Sequence, residues 1–121
     1  MMKPFRILLS LSLLAVAASF TTAATVAPSP APAWNLKDVD GNIVSSDQFK
    51  GKVIVVDFWA TWCPPCRAEI PGYIELQDEY GEDGVVIVGI SLDRKGPKVV
   101  KPFMKKFGIN YTIVMGDEDI V

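Results

Sequence analysis

Hydrophobic and polar residues fall in blocks along this chain, and the blocks change character twice before residue 34. Ile7 to Ala18 is a nearly continuous apolar run, preceded by Lys3 and Arg6 and followed by small residues ending at Ala23 or Ala24. This order of charge, apolar run and small residues predicts a secretory signal peptide over 1–24, and the run is short for a membrane span. No cysteine lies near the cleavage zone to carry a lipid, whereas an uncleaved signal would act as an N-terminal membrane anchor. Residues 25–33 alternate proline with small residues, which favours extended polyproline-like backbone and builds no core, so they read as a linker. The folded domain is expected over 34–121.

From Trp34 onward the pattern is α/β. Leu36 to Val39 and Ile43-Val44 flank Asp40-Gly41-Asn42, where Asp-Gly supplies the positive φ that a tight hairpin needs. Val53-Ile54-Val55-Val56-Asp57-Phe58-Trp59 is β-branched and does not alternate, which suits a central strand covered on both faces. A helix is predicted over Pro64–Tyr80, ended by Gly81 and Gly84. Cys66, Ile70, Tyr73, Ile74 and Tyr80 form its apolar stripe, with Arg67, Glu75, Asp78 and Glu79 toward water. Val85 to Ile90 reads as a second buried strand. Val99, Val100, Phe103, Met104 and Phe107 mark another amphipathic helix closed by Gly108, which Pro102 forces either to begin near Lys101 or to kink. Tyr111 to Met115 is a third strand. Strand, helix, strand, helix and strand in turn argue for a sheet with helices on its faces.

Composition narrows the chemistry. A chain of 121 residues supports one domain, and the absence of histidine excludes Ser-His-Asp and Cys-His catalysis and His-rich metal sites. Two cysteines alone cannot close a four-ligand zinc site. With 12 basic against 14 acidic residues there is no global drive toward nucleic acid. Without Lys3 and Arg6 the balance is 10 against 14. Neither metal nor organic cofactor is called for.

The chemistry lies in Trp62-Cys63-Pro64-Pro65-Cys66, directly after the first buried strand. Two cysteines three apart at a helix start can be bridged, because one helical turn brings their side chains together. Cys63 at the exposed N-cap is favoured as a thiolate and serves as nucleophile; Cys66, one turn in and shielded, resolves the mixed disulfide. Pro64 fixes φ for helix initiation, but neither Pro64 nor Pro65 has an N–H to offer the Cys63 sulfur. Moderate thiolate stabilisation points to a reductant, with a potential of about −200 to −270 mV. A purely structural disulfide is the competing reading, but so short a loop adds little chain-entropy stabilisation.

Asp57, six residues before Cys63, interrupts an apolar strand. Buried, its carboxyl would have a raised pKa and could exchange a proton with Cys66; facing outward at a strand end, it would do neither. Glu69, three residues after Cys66, either tunes the thiols or is a solvated helix acid. Trp59 and Trp62 are candidates to shield the dithiol, though core packing accounts for Trp59 equally well. Arg94, Lys95, Lys98, Lys101, Lys105 and Lys106 read most simply as a solvated helix face.

The stretch from Val55 to Pro71, VVDFWATWCPPCRAEIP, resembles the active-site segment of thioredoxin-like proteins, and more narrowly of exported TlpA/ResA-type thiol:disulfide oxidoreductases. Asp40-Gly41, Phe49-Lys50-Gly51-Lys52 and Val88-Gly89-Ile90-Ser91-Leu92-Asp93 fit the same family. The resemblance implies a thioredoxin-like fold with an N-terminal β-hairpin extension, in which the helix near Phe103 and the strand near Thr112 form an insertion. It places Asp57 at the family's buried acid, Glu69 at the helix glutamate that tunes the thiols, and Pro71 at a helix-kinking proline. It further implies reduction of protein disulfides in the bacterial periplasm or at the outer face of the cytoplasmic membrane. Apocytochrome c is one such substrate, and a membrane-embedded thiol reductant the electron donor.

In such folds a cis-proline loop, further strands and a last helix follow, and nothing after Pro102 matches that loop. The chain is therefore expected to be incomplete at its C-terminus, leaving the strand before the dithiol without one neighbour. Residues Gly116 to Val121 read as the acidic first turn of a helix. Two other classes are carried beside the reductase. A peroxiredoxin-like peroxidase would need Pro-x-x-x-Thr-x-x-Cys, but Val56 and Ala60 occupy the proline and threonine positions. A non-catalytic binding module or fragment would be indifferent to Cys63→Ser.

Overall fold

A computed structural model describes residues 29–120. The expected signal peptide over 1–24 and residues 25–28 of the linker lie outside the described residues, and the second of two compact units begins at Ala31. Its strands are β1 (Asn35–Asp38), β2 (Ile43–Ser45), β3 (Val53–Trp59), β4 (Val85–Ser91) and β5 (Thr112–Met115). The helices are α1 (Pro64–Tyr80) and α2 (Pro97–Phe107), and a short 3-10 turn covers Ser46–Phe49. No helix among the described residues is long and apolar enough to cross a membrane.

The five strands form one sheet in the order β2-β1-β5-β4-β3. β1 and β2 make the expected antiparallel hairpin, with Leu36 opposite Val44. Its turn carries Gly41 at φ 87° and is fastened by the Asp38 carboxylate, which accepts from the backbone N–H groups of Asp40 and Asn42 at 2.9 Å each. β3, β4 and β5 are parallel, and each step moves the chain in the same direction across the sheet. Right-handed crossovers in one direction put both connecting helices on the same face. Accordingly Trp59, Ile87, Val100, Tyr111 and Ile113 form one buried cluster, with Cys66, Tyr73 and Phe103 from the two helices packed against it.

The opposite face buries Leu36, Val88, Ile90 and Val114 under Trp34, Phe49 and Ile120. No α-helix among the described residues covers it. A groove of about 620 Å³ remains there, with Val56, Phe58 and Ile90 in its wall.

Three expectations are corrected. β3 is not covered on both faces: it pairs only with β4, as the expected missing neighbour implies, and Val53, Val56 and Phe58 are exposed at 65, 44 and 47 %. On its helix side Val55, Asp57 and Trp59 are at least partly covered, while Val56 and Phe58 on the other face are open. Tyr80 does not join the apolar stripe of α1 but is exposed; Leu76 and Gln77 take the inward positions of that turn. For α2 the start near Lys101 is overturned: the helix begins at Pro97 and continues through Pro102, which sits on the exposed side, so the missing N–H costs one bond without driving the ring into the core. Gly108 ends α2 at φ 68° as expected. At the C-terminal end of the described chain, Ile120 N–H reaches the carbonyl of Asp117 and closes a single turn.

Candidate functional site

The site forms where β3 ends and α1 begins. The β3 residues Val55, Asp57 and Trp59 share the helix-side face because side chains alternate along a strand. At Trp59 the chain leaves the sheet, the N–H of Cys63 bonds to the carbonyl of Ala60 at 3.1 Å, and Pro64 opens α1. Cys63 is the N-cap residue, in extended backbone with no side-chain capping bond, so its sulfur is not used to hold the helix. Both prolines occupy the first helical turn, where a missing N–H loses no intrahelical bond.

Cys63 and Cys66 are joined as a disulfide with their Cα atoms 5.3 Å apart. Both are half-buried, so Cys63 is less exposed than its cap position suggested, and Cys66 packs on the buried cluster beneath α1. Pro71 lies within α1, which runs on to Tyr80. Among the described residues no three His, Cys, Asp or Glu side chains gather in the manner of a metal site.

Asp57 sits half-buried on the covered side of β3, opposite Gly89 of β4. Burial pushes its carboxyl above the usual carboxylate range, and the negative charge of Glu69 adds to this. Tyr73 is raised by burial, then by Asp57 and Glu69; Tyr111 is raised by burial, then by Asp57 and Tyr73. Asp57 is thus the group that both tyrosines share, and the Tyr73 and Tyr111 rings meet edge to face at 6.1 Å. Glu69 itself is exposed, and its charge is felt by Asp57 and Tyr73. Trp59 is fully packed, 5.5 Å from the Phe103 ring, and its indole N–H has no hydrogen-bond partner. Trp62, the other candidate shield, is 70 % exposed.

Sequence reasoning missed the residues that hold the turn. Thr61 donates its N–H at 2.9 Å and its hydroxyl at 2.6 Å to the carboxylate of Asp93, just beyond β4. Ser91 donates its hydroxyl to the same carboxylate at 2.9 Å, and Leu92 N–H bonds to the Trp59 carbonyl at 2.8 Å. Asp93 is 8 % exposed, and these three donors answer the cost of burying it. The available signal was a polar pair, Ser91 and Asp93, closing an apolar parallel strand, since strand C-terminal ends are where such sheets build sites. Arg94 and Lys95 also depart from expectation, lying in the loop before α2 rather than on its face. With Thr61, Trp62, Leu92, Asp93 and Val99 they line a groove of about 570 Å³.

Comparison with known proteins bears on this geometry. The AhpC/TSA family matches residues 28–120. The thioredoxin-like protein YneN of Bacillus subtilis is 36% identical over 91 residues, covering 74% of this chain and 54% of that protein. The thiol-disulfide oxidoreductase ResA of Oceanobacillus iheyensis is 39% identical over 87 residues, covering 69% of this chain and 45% of its own. Among solved structures, a thiol:disulfide interchange protein of the thioredoxin family from Chlorobium tepidum superimposes with a TM-score of 0.73 at 39% identity, covering 81% of this chain and 67% of that one. A thiol:disulfide interchange protein from a Bacteroides species gives 0.68 at 34% identity, covering 75% and 59%. The chain spans about half the length of the curated relatives it matches.

Proposed function

The chain belongs to the AhpC/TSA family, with a thioredoxin-like fold, and on that premise we propose that it is a thiol:disulfide oxidoreductase that reduces protein disulfides through Cys63 and Cys66. The observation that carries this reading is the Cys63–Cys66 disulfide, closed across the first turn of α1 at the end of a parallel strand. The names of the related proteins, thiol-disulfide oxidoreductase and thiol:disulfide interchange protein, support it.

In the reduced protein the Cys63 thiolate attacks one sulfur of a substrate disulfide. The substrate S–S bond breaks, and its leaving sulfur takes a proton. Cys66, deprotonated in turn, attacks the Cys63 sulfur of the mixed disulfide and releases the second substrate thiol. Two electrons and two protons have then passed to the substrate, and Cys63–Cys66 is oxidised. Asp57 accepts the Cys66 proton in this reading, which its raised pKa supports by bringing it nearer to working pH than an ordinary carboxylate. Glu69 acts through Asp57 by making its ionisation harder. A dithiol reductant must return the pair to its reduced form. The basic and apolar N-terminus supports export, so the working compartment is the periplasm or the outer membrane face, and the donor is a membrane-embedded thiol reductant. Unfolded cytochrome c precursors are a substrate of suitable chemistry. The peroxidase reading lacks its proline and threonine, with Val56 and Ala60 in their places.

A glutathione titration followed by tryptophan emission tests this. One two-electron transition at about −200 to −270 mV, lost in Cys63→Ser, is expected. Cys66→Ser should accumulate a mixed disulfide with a protein substrate. A folded protein with no transition in that range, or full reductase activity in Cys63→Ser, overturns the proposal.

A further inference from the structure

Resting on the reductase reading, we propose that the groove beside the dithiol is a docking site for an acidic segment of the substrate polypeptide that flanks its disulfide. Thr61 and Trp62 form one wall and are the two residues immediately before Cys63, so a chain lying in the groove runs directly to the attacking sulfur. Leu92, Arg94, Lys95 and Val99 form the other wall.

Charge decides what fits. The three charged groups lining the groove are Asp93, Arg94 and Lys95. The Asp93 carboxylate is buried and already accepts from Thr61 N–H, Thr61 hydroxyl and Ser91 hydroxyl. Arg94 and Lys95 are exposed, and neither forms an ion pair among the described residues. Lys101 of α2, by contrast, is tied to Asp40 of the hairpin. The groove thus presents two uncommitted cations to solvent beside the apolar surface of Trp62, Leu92 and Val99. A peptide with one or two carboxylates and a neighbouring aliphatic or aromatic side chain satisfies both features, and a lysine-rich one satisfies neither. The bonds from Asp93 tie the two walls together, so the groove is formed before the substrate arrives and little ordering is needed on binding.

This makes the groove a selectivity element for a protein whose overall balance is acidic, 12 basic against 14 acidic residues. Long-range attraction to an acidic partner therefore does not come from net charge and has to arise locally, at the two cations next to the dithiol.

The test uses the full chain, reduced, with two disulfide-bridged peptides that differ only in flanking Glu-Leu or Lys-Leu pairs, and with neutral 2-hydroxyethyl disulfide. At low ionic strength kcat/KM for the Glu peptide is expected to exceed that for the Lys peptide by about tenfold, mainly through KM. The preference should fall to within about twofold in 0.5 M salt, as screening requires. Arg94→Glu/Lys95→Glu should abolish or invert it, whereas Lys105→Glu/Lys106→Glu, an equal charge change on α2, should leave it in place. A wild type that does not distinguish the peptides, or a preference that survives reversal at Arg94 and Lys95, overturns the docking site. Failure to reduce even 2-hydroxyethyl disulfide overturns the reductase reading instead. In that case calorimetric binding of a cysteine-free Glu-Leu peptide, present in wild type and absent in Arg94→Glu/Lys95→Glu, still decides for or against the groove.

Discussion

Thr61 gives both its backbone N–H and its hydroxyl to the Asp93 carboxylate, at 2.9 and 2.6 Å, across 32 residues of sequence. The bonds lock the turn that carries Cys63 onto the end of β4. Asp93→Ala leaves the Thr61 N–H without an acceptor in a partly buried place, which should cost about 1–3 kcal/mol in urea unfolding. Thr61→Val removes only the hydroxyl bond and should cost about 1 kcal/mol, and Thr61→Ser should restore it. In a double-mutant cycle the Thr61 and Asp93 changes are expected to be strongly non-additive, and additive losses would show that the two residues act separately.

Asp57 makes stability depend on pH with a definite sign. Its folded-state pKa lies above the ordinary 3.8, so the folded protein holds this proton more tightly than the unfolded chain does. Below the ordinary value both states are protonated and Asp57 adds no penalty; as pH rises through the folded-state value, the penalty grows to its full size. Asp57→Asn should therefore stabilise the protein at pH 7, with the gain vanishing near pH 3. Thermal melts of both proteins at the two pH values check this, and parallel curves would rule out burial of the carboxyl as the source.

Gln77 closes a gap in the sheet. Its side-chain oxygen accepts from Ile87 N–H at 2.9 Å and its amide donates to the Val85 carbonyl at 3.2 Å. These groups lie on the part of β4 before its pairing with β5 begins at Val88. Gln77→Ala should lower stability by about 1–3 kcal/mol, because it leaves partly buried backbone groups unpaired. The redox potential of Cys63–Cys66 should stay unchanged, which a glutathione titration of the variant would show.

Gly89 lies opposite Asp57 in the parallel pair and beneath the Trp59 ring. A Cβ there would come within 2.7 Å of Ile113 Cδ1 and 2.9 Å of Trp59 Nε1. Gly89→Ala should cost about 1–3 kcal/mol by overpacking. It should also shift tryptophan emission, since the displaced ring is the one packed between the sheet and Phe103.

What could be read from the sequence is what depends on near neighbours along the chain. α1 spans Pro64–Tyr80 as expected, because prolines at its start, glycines after its end and the spacing of Cys66, Ile70, Tyr73 and Ile74 all act within a few residues. The hairpin, β4 and β5 to within one residue at their ends, and the Cys63–Cys66 juxtaposition follow from the same local rules. Pro102 left the start of α2 open, because its ring faces solvent and which side of a helix is covered is not a local property.

Strand order was decided only by tertiary structure. A run such as Val53 to Trp59 is equally apolar at the centre of a sheet and at its edge, and only pairing partners distant in sequence tell the two apart. The one-way progression from β3 to β5 placed both helices on one face, which covered Asp57 and left Val56 and Phe58 open. It also set the C-terminal ends of β3 and β4 side by side, and so brought Asp93 to Thr61. The sequence by itself determined which two sulfur atoms meet, through local geometry at a helix start. The sheet determined what surrounds them, because its hydrogen bonds join residues that the chain keeps far apart.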